Sequence, residues 1–373
     1  MKFSVLLPTR NGGEQLNDCI ASVLNQRWAN LELVISDNCS EPDTVAVIRR
    51  FLGDPRVKYL RQDAPVPVSE NWTRALEAST GDYFVMMGDD DCLLPNYFGK
   101  MDELLKEFNF PDCLHYLGYL FVMPGAMNGV SGARYDPAWA MQLPACGLVP
   151  KPFRENLVRS FFDFSGSCQF NSQLVLVSRK FTETLTRGFY VAPFPDFYSM
   201  SVLLLDAERF VFIPEKLCVV GISPKSAGHY HYNRKPGFEA YLSNTDKWQT
   251  FSPMLNGVLG WLEVLAARYG DRLGEMNVAP DRLARYMLAE QWPLFILGEI
   301  GLLRIIRAAG FLPARKYVTY LAPRIGYGYL KRFQWRLVGG RPSVAAWTFR
   351  RTLPFRDGGI GAFAQAVARG QIA

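Results

Sequence analysis

An apolar run, Tyr83–Met87, leads straight into three consecutive carboxylates, Asp89, Asp90 and Asp91, and this junction constrains the chain more than any other stretch. A strand-length run without polar alternation is what a strand buried on both faces requires, so a central strand of a parallel sheet is expected here. Three adjacent acids at its end repel one another unless a cation compensates. Hard divalent ions take carboxylate oxygens and share them with substrate phosphates, which makes a metal-diphosphate site the leading expectation. A solvated acidic turn is the alternative, and structural context decides between them. Pro95 follows, suited to open a helix in its first turn.

The stretches before this junction supply that context. Phe3–Leu7 reads as a first strand, closed by Pro8-Thr9-Arg10-Asn11-Gly12-Gly13. Apolar residues at helical spacing predict a helix over Glu14–Gln26. Leu31–Ser36 follows as a strand ending at Asp37, then a helix over Val45–Leu52, a short strand at Val57–Leu60 and a helix over Ser69–Ser79. Such alternation implies an α/β fold with a parallel sheet, whose ligands lie at the carboxyl ends of the strands. Pro8–Asn11, Asp37 and Asp89–Asp91 all fall at such ends. No G-x-G-x-x-G follows the first strand and no G-x-x-x-x-G-K-[ST] occurs, which counts against ordinary dinucleotide folds and P-loop NTPases.

The order and spacing of Pro8-Thr9-Arg10-Asn11, Ser36-Asp37-Asn38, Glu70-Asn71-Trp72-Thr73-Arg74, Gly81-Asp82-Tyr83, Gly88-Asp89-Asp90-Asp91 and Pro95 resemble the N-terminal half of family 2 glycosyltransferases. The resemblance covers about residues 1–110. It implies a GT-A-like, Rossmann-type mixed and mostly parallel sheet flanked by helices, inverting transfer from a nucleotide-diphosphate sugar, and Mg²⁺ or Mn²⁺ as cofactor. It further implies that Pro8, Thr9 and Asn11 line the nucleoside pocket, that Asp37 accepts from base or ribose, that Arg74, Asp89 and Asp90 meet the donor, and that Asp89 and Asp91 ligate the metal. Gly88 stands where many members carry an acid. Asp37 as a helix N-cap and Arg74 as a surface ion pair are the competing roles.

Pro111–Val122 reads as a strand, whereas 123–165 loses periodicity among glycines and prolines and is expected to be an acceptor-side insertion or loop. Ser167–Val177 is strand-like and Arg179–Arg187 helical. In Phe194-Pro195-Asp196-Phe197, an acid set among prolines and aromatics opens an apolar helix over Ser199–Leu205. Partial desolvation there raises a carboxyl toward a general-base pKa, and the family resemblance implies that Asp196 is the base. Its alternative role is a helix N-cap. Phe210–Ile213 and Leu217–Ile222 are further strands. After them His229 and His231 flank Tyr230; by resemblance to some GT-A enzymes His229 completes the metal site or binds diphosphate, against a purely structural role.

Charge separates the tail from the rest. Residues 1–270 hold 25 Lys and Arg against 29 Asp and Glu, while 271–373 hold 16 against 6, and from Arg304 to Arg356 there are twelve cations and no acid. Helices are expected over Leu255–Tyr269, Arg282–Arg307 with a bend at Pro293, and Arg315–Val338. Two units follow: a transferase domain over 1–235 and a basic, aromatic-rich helical region over 236–373. The segment 304–356 suits an anionic membrane surface bearing a lipid-linked acceptor, or else a solvated basic face; no nucleic-acid motif accompanies it. Seven scattered cysteines without C-x-x-C argue against disulfide or zinc frameworks, and neither a secretory leader nor a spanning helix is expected, which suggests a cytoplasmic, peripheral enzyme. The expected function is transfer from a nucleotide sugar, UDP-linked by preference, to a glycan or lipid-linked hydroxyl. A nucleotidyltransferase of similar fold and a non-catalytic binding relative are the alternatives.

Overall fold

A computed structural model describes residues 1–127, 130–134, 143, 146–162, 164–165, 171–226, 253–275, 280–298, 300–310, 314–337, 355 and 358–371. The first half alternates as the periodicity requires: β1 (Phe3–Thr9), α1 (Gln15–Leu24), β2 (Leu31–Asp37), α2 (Pro42–Arg49), β3 (Val57–Arg61), α3 (Val68–Ala78) and β4 (Tyr83–Met86). These strands pair in parallel in the order β3-β2-β1-β4. Chain order therefore reverses direction between β1 and β4. In open α/β sheets the crevice at the carboxyl ends beside such a reversal is where ligands bind.

The sheet continues through β5 (Cys92–Leu93), β6 (Cys113–Met127), β7 (Val130–Arg134), β8 (Gly147–Leu148), β9 (Val175–Ser178) and β10 (Phe210–Ile222). Beyond β4 the order is β9-β6-β10-β5, with β9 antiparallel to both neighbours and β10 parallel to β6. It is thus a mixed sheet flanked by helices, parallel from β3 to β4 and between β6 and β10 and antiparallel in its other pairings. Two apolar layers cover it. Phe3, Val5 and Leu7 of β1 and Tyr83, Val85 and Met87 at β4 face one cluster, completed by α1, α2 and α4 (Tyr97–Glu107). The alternate residues Leu6, Phe84 and Met86 face the other, which holds α5 (Lys151–Phe162) and α7 (Pro195–Asp206); the short α6 (Arg179–Glu183) follows β9.

Several expectations are corrected. The helix expected to open at Pro95 starts at Tyr97, because Asn96 takes a left-handed conformation (φ 64°) that a helix cannot include. The segment 123–165 is no featureless loop: it carries the end of β6, β7, β8 and α5. Pro152 suggested a break, yet it sits in the first turn of α5, where a missing N–H leaves no helical bond unmade. The strand expected over Ser167–Val177 shortens to β9, since Asn171 Oδ1 accepts the Gln173 N–H (2.9 Å) and turns the chain into a 3₁₀ segment; 167–170 lie outside the described residues. Phe210–Ile213 and Leu217–Ile222 merge into one irregular strand, β10.

The C-terminal region is helical: α8 (Pro253–Leu273), α9 (Pro280–Leu297), α10 (Leu302–Ala308), α11 (Ala322–Leu337) and α12 (Ile360–Ala368). The single helix expected over Arg282–Arg307 is two. Its break is at Gly298, left-handed at φ 76°, and not at Pro293. A π-helical turn at Tyr317–Leu321 leads into α11. These helices pack on both faces of the sheet layer: Trp261, Leu262 and Leu265 of α8 join the α5–α7 cluster, and Ile360, Phe363 and Ala364 of α12 join the α1–α4 cluster.

Helix α7 is buried along its length and fixed at its carboxyl end by charge. Arg154, 1% exposed, donates from Nη1 to the Leu204 (2.7 Å) and Leu203 carbonyls, satisfying the last turn of α7. Asp206, the last residue of α7, accepts from Arg268 (3.2 Å), Arg272 (2.9 Å) and the Tyr269 hydroxyl (2.5 Å) of α8. Removing that one acceptor takes a partner from both guanidinium groups, which keep bonds to Glu155, the Leu205 carbonyl and Tyr198, a loss of about 2 kcal/mol. Asp206→Ala is accordingly expected to lower the thermal midpoint by several degrees in calorimetry, and Asp206→Asn by less; an unchanged midpoint for both would remove this contact as the anchor of α8.

Candidate active site

Three chain segments, the loop after β1, the acidic turn and the end of β10, meet in one hydrogen-bonded unit, and the other candidate residues lie at β2, β3, α3 and α7. After β1, Thr9 is buried and Asn11 adopts φ 61°, a left-handed state that asparagine tolerates. Asn11 N–H donates to Ser40 Oγ (2.9 Å), its Oδ1 accepts from Glu41 N–H (2.8 Å), and Gly13 N–H donates to Thr44 Oγ1 (3.0 Å). The β1 loop is thereby fastened to the start of α2, with Pro8 half-buried beneath it.

Asp37, at the end of β2, is fully enclosed. Its Oδ1 accepts from Ser40 N–H (2.8 Å), and its Oδ2 from the Tyr59 hydroxyl (2.8 Å) and Arg61 (2.5 Å). The N-cap of α2 is Glu41, so the capping alternative for Asp37 does not hold. Arg61, which sequence reasoning missed, is the partly exposed member of this pair. The only signal for it was a cation at the last position of β3. In α3, Asn71 accepts from Ser36 Oγ (2.8 Å) and donates to the Ser36 carbonyl (3.0 Å), tying the helix to the end of β2. Arg74 pairs with Gln62 and, at 3.3 Å, with Glu70 one turn back.

The three acids occupy the turn between β4 and β5, and each is held differently. Asp89 Oδ2 accepts from the Thr9 hydroxyl (2.5 Å), drawing the turn against the β1 loop. Asp90 Oδ2 accepts from Ser223 N–H (2.9 Å), just past β10. Asp91, 2% exposed, has both oxygens on backbone amides: Oδ2 on Gly88 N–H (2.7 Å) and Oδ1 on Gly221 N–H (2.9 Å). Asp91 is therefore the brace that fixes the turn to β10. Glycine is required at two approaches. A Cβ on Gly12 would lie 2.7 Å from Asp89 Oδ2, and one on Gly221 only 1.8 Å from the Asp90 carbonyl oxygen.

Burial raises all three carboxyls above the ordinary range. Asp90 rises to about 7, through burial and then the charge of Asp89; Asp91 is also raised well above the ordinary carboxyl range, through burial and then Asp90. Asp89 also rises by burial, while the Thr9 hydroxyl, backbone amides and the charge of Lys225 pull it down. Lys225, in the turn after β10, reaches to 4.0 Å from Asp43 at the start of α2, beside Gly13. Sequence reasoning quoted this turn for its histidines and passed over the lysine. His229 and His231 lie outside the described residues. A divalent ion bound beside these acids would relieve their repulsion, although among the described residues no three His, Cys, Asp or Glu side chains are arranged to hold one.

Asp196 occupies the first turn of α7, after Pro195 at the first helical position, and the N-cap is Phe194. The capping alternative for Asp196 therefore fails. Its Oδ1 accepts from Phe197 N–H (2.9 Å), and desolvation pushes the carboxyl up to about 6. The preceding stretch is set against α3 by an edge contact between Tyr190 and Trp72, with ring centroids 5.3 Å apart.

Gly221→Ala is expected to drive the main chain of the acidic turn off β10, since overpacking of this kind costs about 3 kcal/mol. A thermal midpoint equal to that of the parent protein would show that the turn does not lie against β10 in this way.

Residues 4–113 match the family described as "Glycosyl transferase family 2". A GalNAc(5)-diNAcBac-PP-undecaprenol beta-1,3-glucosyltransferase of Campylobacter jejuni is 32% identical over 121 residues, 30% of this chain and 38% of that protein. The uncharacterized glycosyltransferase YibD of Escherichia coli K12 is 30% identical over 108 residues, 28% of this chain and 31% of that protein. The chain thus spans under half the length of these curated relatives. Among solved structures, S. aureus TarS 1-349 in complex with UDP-GlcNAc superposes with a TM-score of 0.53 at 15% identity, over 90% of this chain and 89% of that one, a likeness of fold. The matched segment, carried on a sheet of this type with its acids at the β1–β4 reversal, is similar to glycosyltransferase family 2 over residues 4–113.

Proposed function

We propose that the protein transfers a sugar, with inversion, from a nucleotide-diphosphate donor to a hydroxyl of a glycan or lipid-linked acceptor. The observation that carries this reading is the enclosed three-acid turn at the carboxyl end of β4, beside the reversal of strand order, with a carboxyl raised to about 6 at the start of α7. A UDP-sugar is the preferred donor, supported by the UDP-GlcNAc complex of TarS, and a lipid-linked acceptor by the name of the C. jejuni relative. In this reading Pro8, Thr9 and Asn11 border the nucleoside. Asp37, fully enclosed, acts through Arg61, and Arg74 serves the donor side.

Mg²⁺ or Mn²⁺ would be held by Asp89 and Asp90, because both oxygens of Asp91 are engaged by amides. When bound, such an ion supplies positive charge for the departing diphosphate. Lys225 adds a second positive charge at the same mouth. Asp196 takes the proton from the acceptor hydroxyl; the freed oxygen bonds to the anomeric carbon on the face opposite the diphosphate, whose bond to the sugar breaks, releasing the nucleoside diphosphate. No helix among the described residues is long and apolar enough to cross a membrane, and attachment at the inner membrane face fits a lipid-linked acceptor.

Asp196→Asn is expected to lower kcat by about 10²- to 10⁴-fold while leaving nucleotide affinity intact. A carboxyl raised to about 6 is deprotonated above that pH and protonated below it, so kcat/KM should fall on the acid side near pH 6, and Asp196→Glu should move that limb. Calorimetric titration with UDP, GDP, dTDP and CDP, each with Mn²⁺ and with EDTA, tests the donor side. One nucleotide should bind only with metal, and Asp89→Ala or Asp90→Ala should weaken it at least about tenfold. Metal-independent binding, or none for any nucleotide, would overturn this reading.

A further inference from the structure

The helical region turns an apolar stripe outward. Helix α11 is fixed to α9 by its inner face: Gly328 lies against the Phe295 ring, and Arg332 donates to the carbonyls of Phe295 (2.7 Å) and Ile300 (2.8 Å). On the opposite face Leu330, Phe333 and Leu337 follow one another at spacings of three and four residues and are 53%, 58% and 71% exposed. This is the spacing of a face made for burial, and the fold leaves it in the open. Helix α10 repeats the pattern. Ile305 and Ala308 are buried while Leu303, 74% exposed, and Ile306 point out beside the exposed Arg304 and Arg307.

Charge decides what can cover this surface. Residues 302–337 contain eight Lys and Arg and no Asp or Glu. A second copy of the same face would bring the two sets of cations together with no acid to pair them. A nucleic acid would answer the charge but leave the stripe in water, since its affinity comes from the phosphates. An anionic lipid surface answers both, with apolar side chains entering the headgroup–acyl boundary and guanidinium and ammonium groups meeting phosphates. We propose that the outward faces of α10 and α11 form an interfacial docking surface for anionic phospholipid bilayers. The inference rests on this surface alone and stands or falls independently of the transfer reaction.

The test is sedimentation of the full chain with vesicles of phosphatidylcholine alone and with about 30% phosphatidylglycerol, a proportion set by the need for anionic headgroups. Binding is expected with the anionic vesicles only and should weaken as salt rises. The variant L330S/F333S/L337S should lower partitioning about tenfold or more, because the lost contacts are apolar. R304E/R307E should remove the preference for phosphatidylglycerol. All five side chains are exposed, so both variants should keep the parent thermal midpoint, and L303S/I306S provides an independent check of the apolar contribution. Absence of binding by the parent chain overturns the proposal, as does binding that all three variants leave unchanged. Vesicle-free self-association abolished by L330S/F333S/L337S would assign the face to a second copy, and retention of duplex DNA without vesicle binding would assign it to nucleic acid; either result overturns the proposal.

Discussion

The architecture of the site depends on one buried carboxylate that spends both oxygens on backbone amides. Asp91 joins Gly88, at the end of β4, to Gly221, near the end of β10, two positions more than 130 residues apart in the chain. In an enclosed setting hydrogen bonds of this kind are stronger than in water and fix geometry closely. With the turn pinned, Asp90 reaches Ser223 and Asp89 reaches Thr9, so three segments meet within one hydrogen-bonded unit. Close main-chain approach at Gly221 and side-chain approach at Gly12 are what make the unit compact.

Such an assembly holds negative charge where the solvent cannot screen it. The elevated pKa of each acid expresses that cost, which a bound cation would relieve. Lys225 offsets part of it from the turn after β10. Asp196 is raised for a simpler reason, desolvation at the head of a buried helix.

The C-terminal helices serve both the core and the surface. Through Arg268, Tyr269 and Arg272, α8 grips the end of α7 opposite to Asp196, while α12 closes the other face of the sheet. Asp206 is the shared acceptor, so the carboxyl end of the helix that opens with Asp196 is set by residues far along the chain. Helices α10 and α11 stand on α9 and carry the excess positive charge outward.

Local signals made the first half legible. Strand-length apolar runs and helical spacing act over a few residues, so β1 to β4, α1 to α3, the acidic turn, and Asp196 at the start of a helix could be read before any contact was known. Asp89, Asp90 and Asp91 were visible as a group because they are adjacent in sequence. Their separate duties were not, because these depend on Thr9, Ser223 and Gly221 arriving from elsewhere. For the same reason Arg61 and Lys225 went unnoticed, and Asp37 and Asp196 each retained a capping alternative that only the observed helix starts removed. The break at Gly298 was hidden by a proline that a helix could accommodate. Spacing identified Leu330, Phe333 and Leu337 as one face of a helix, but which face met the protein was fixed by Arg332 and Gly328 packing on Phe295. Sequence determines periodicity and local chemistry; partners distant in the chain are chosen only when the sheet and its helices close around them.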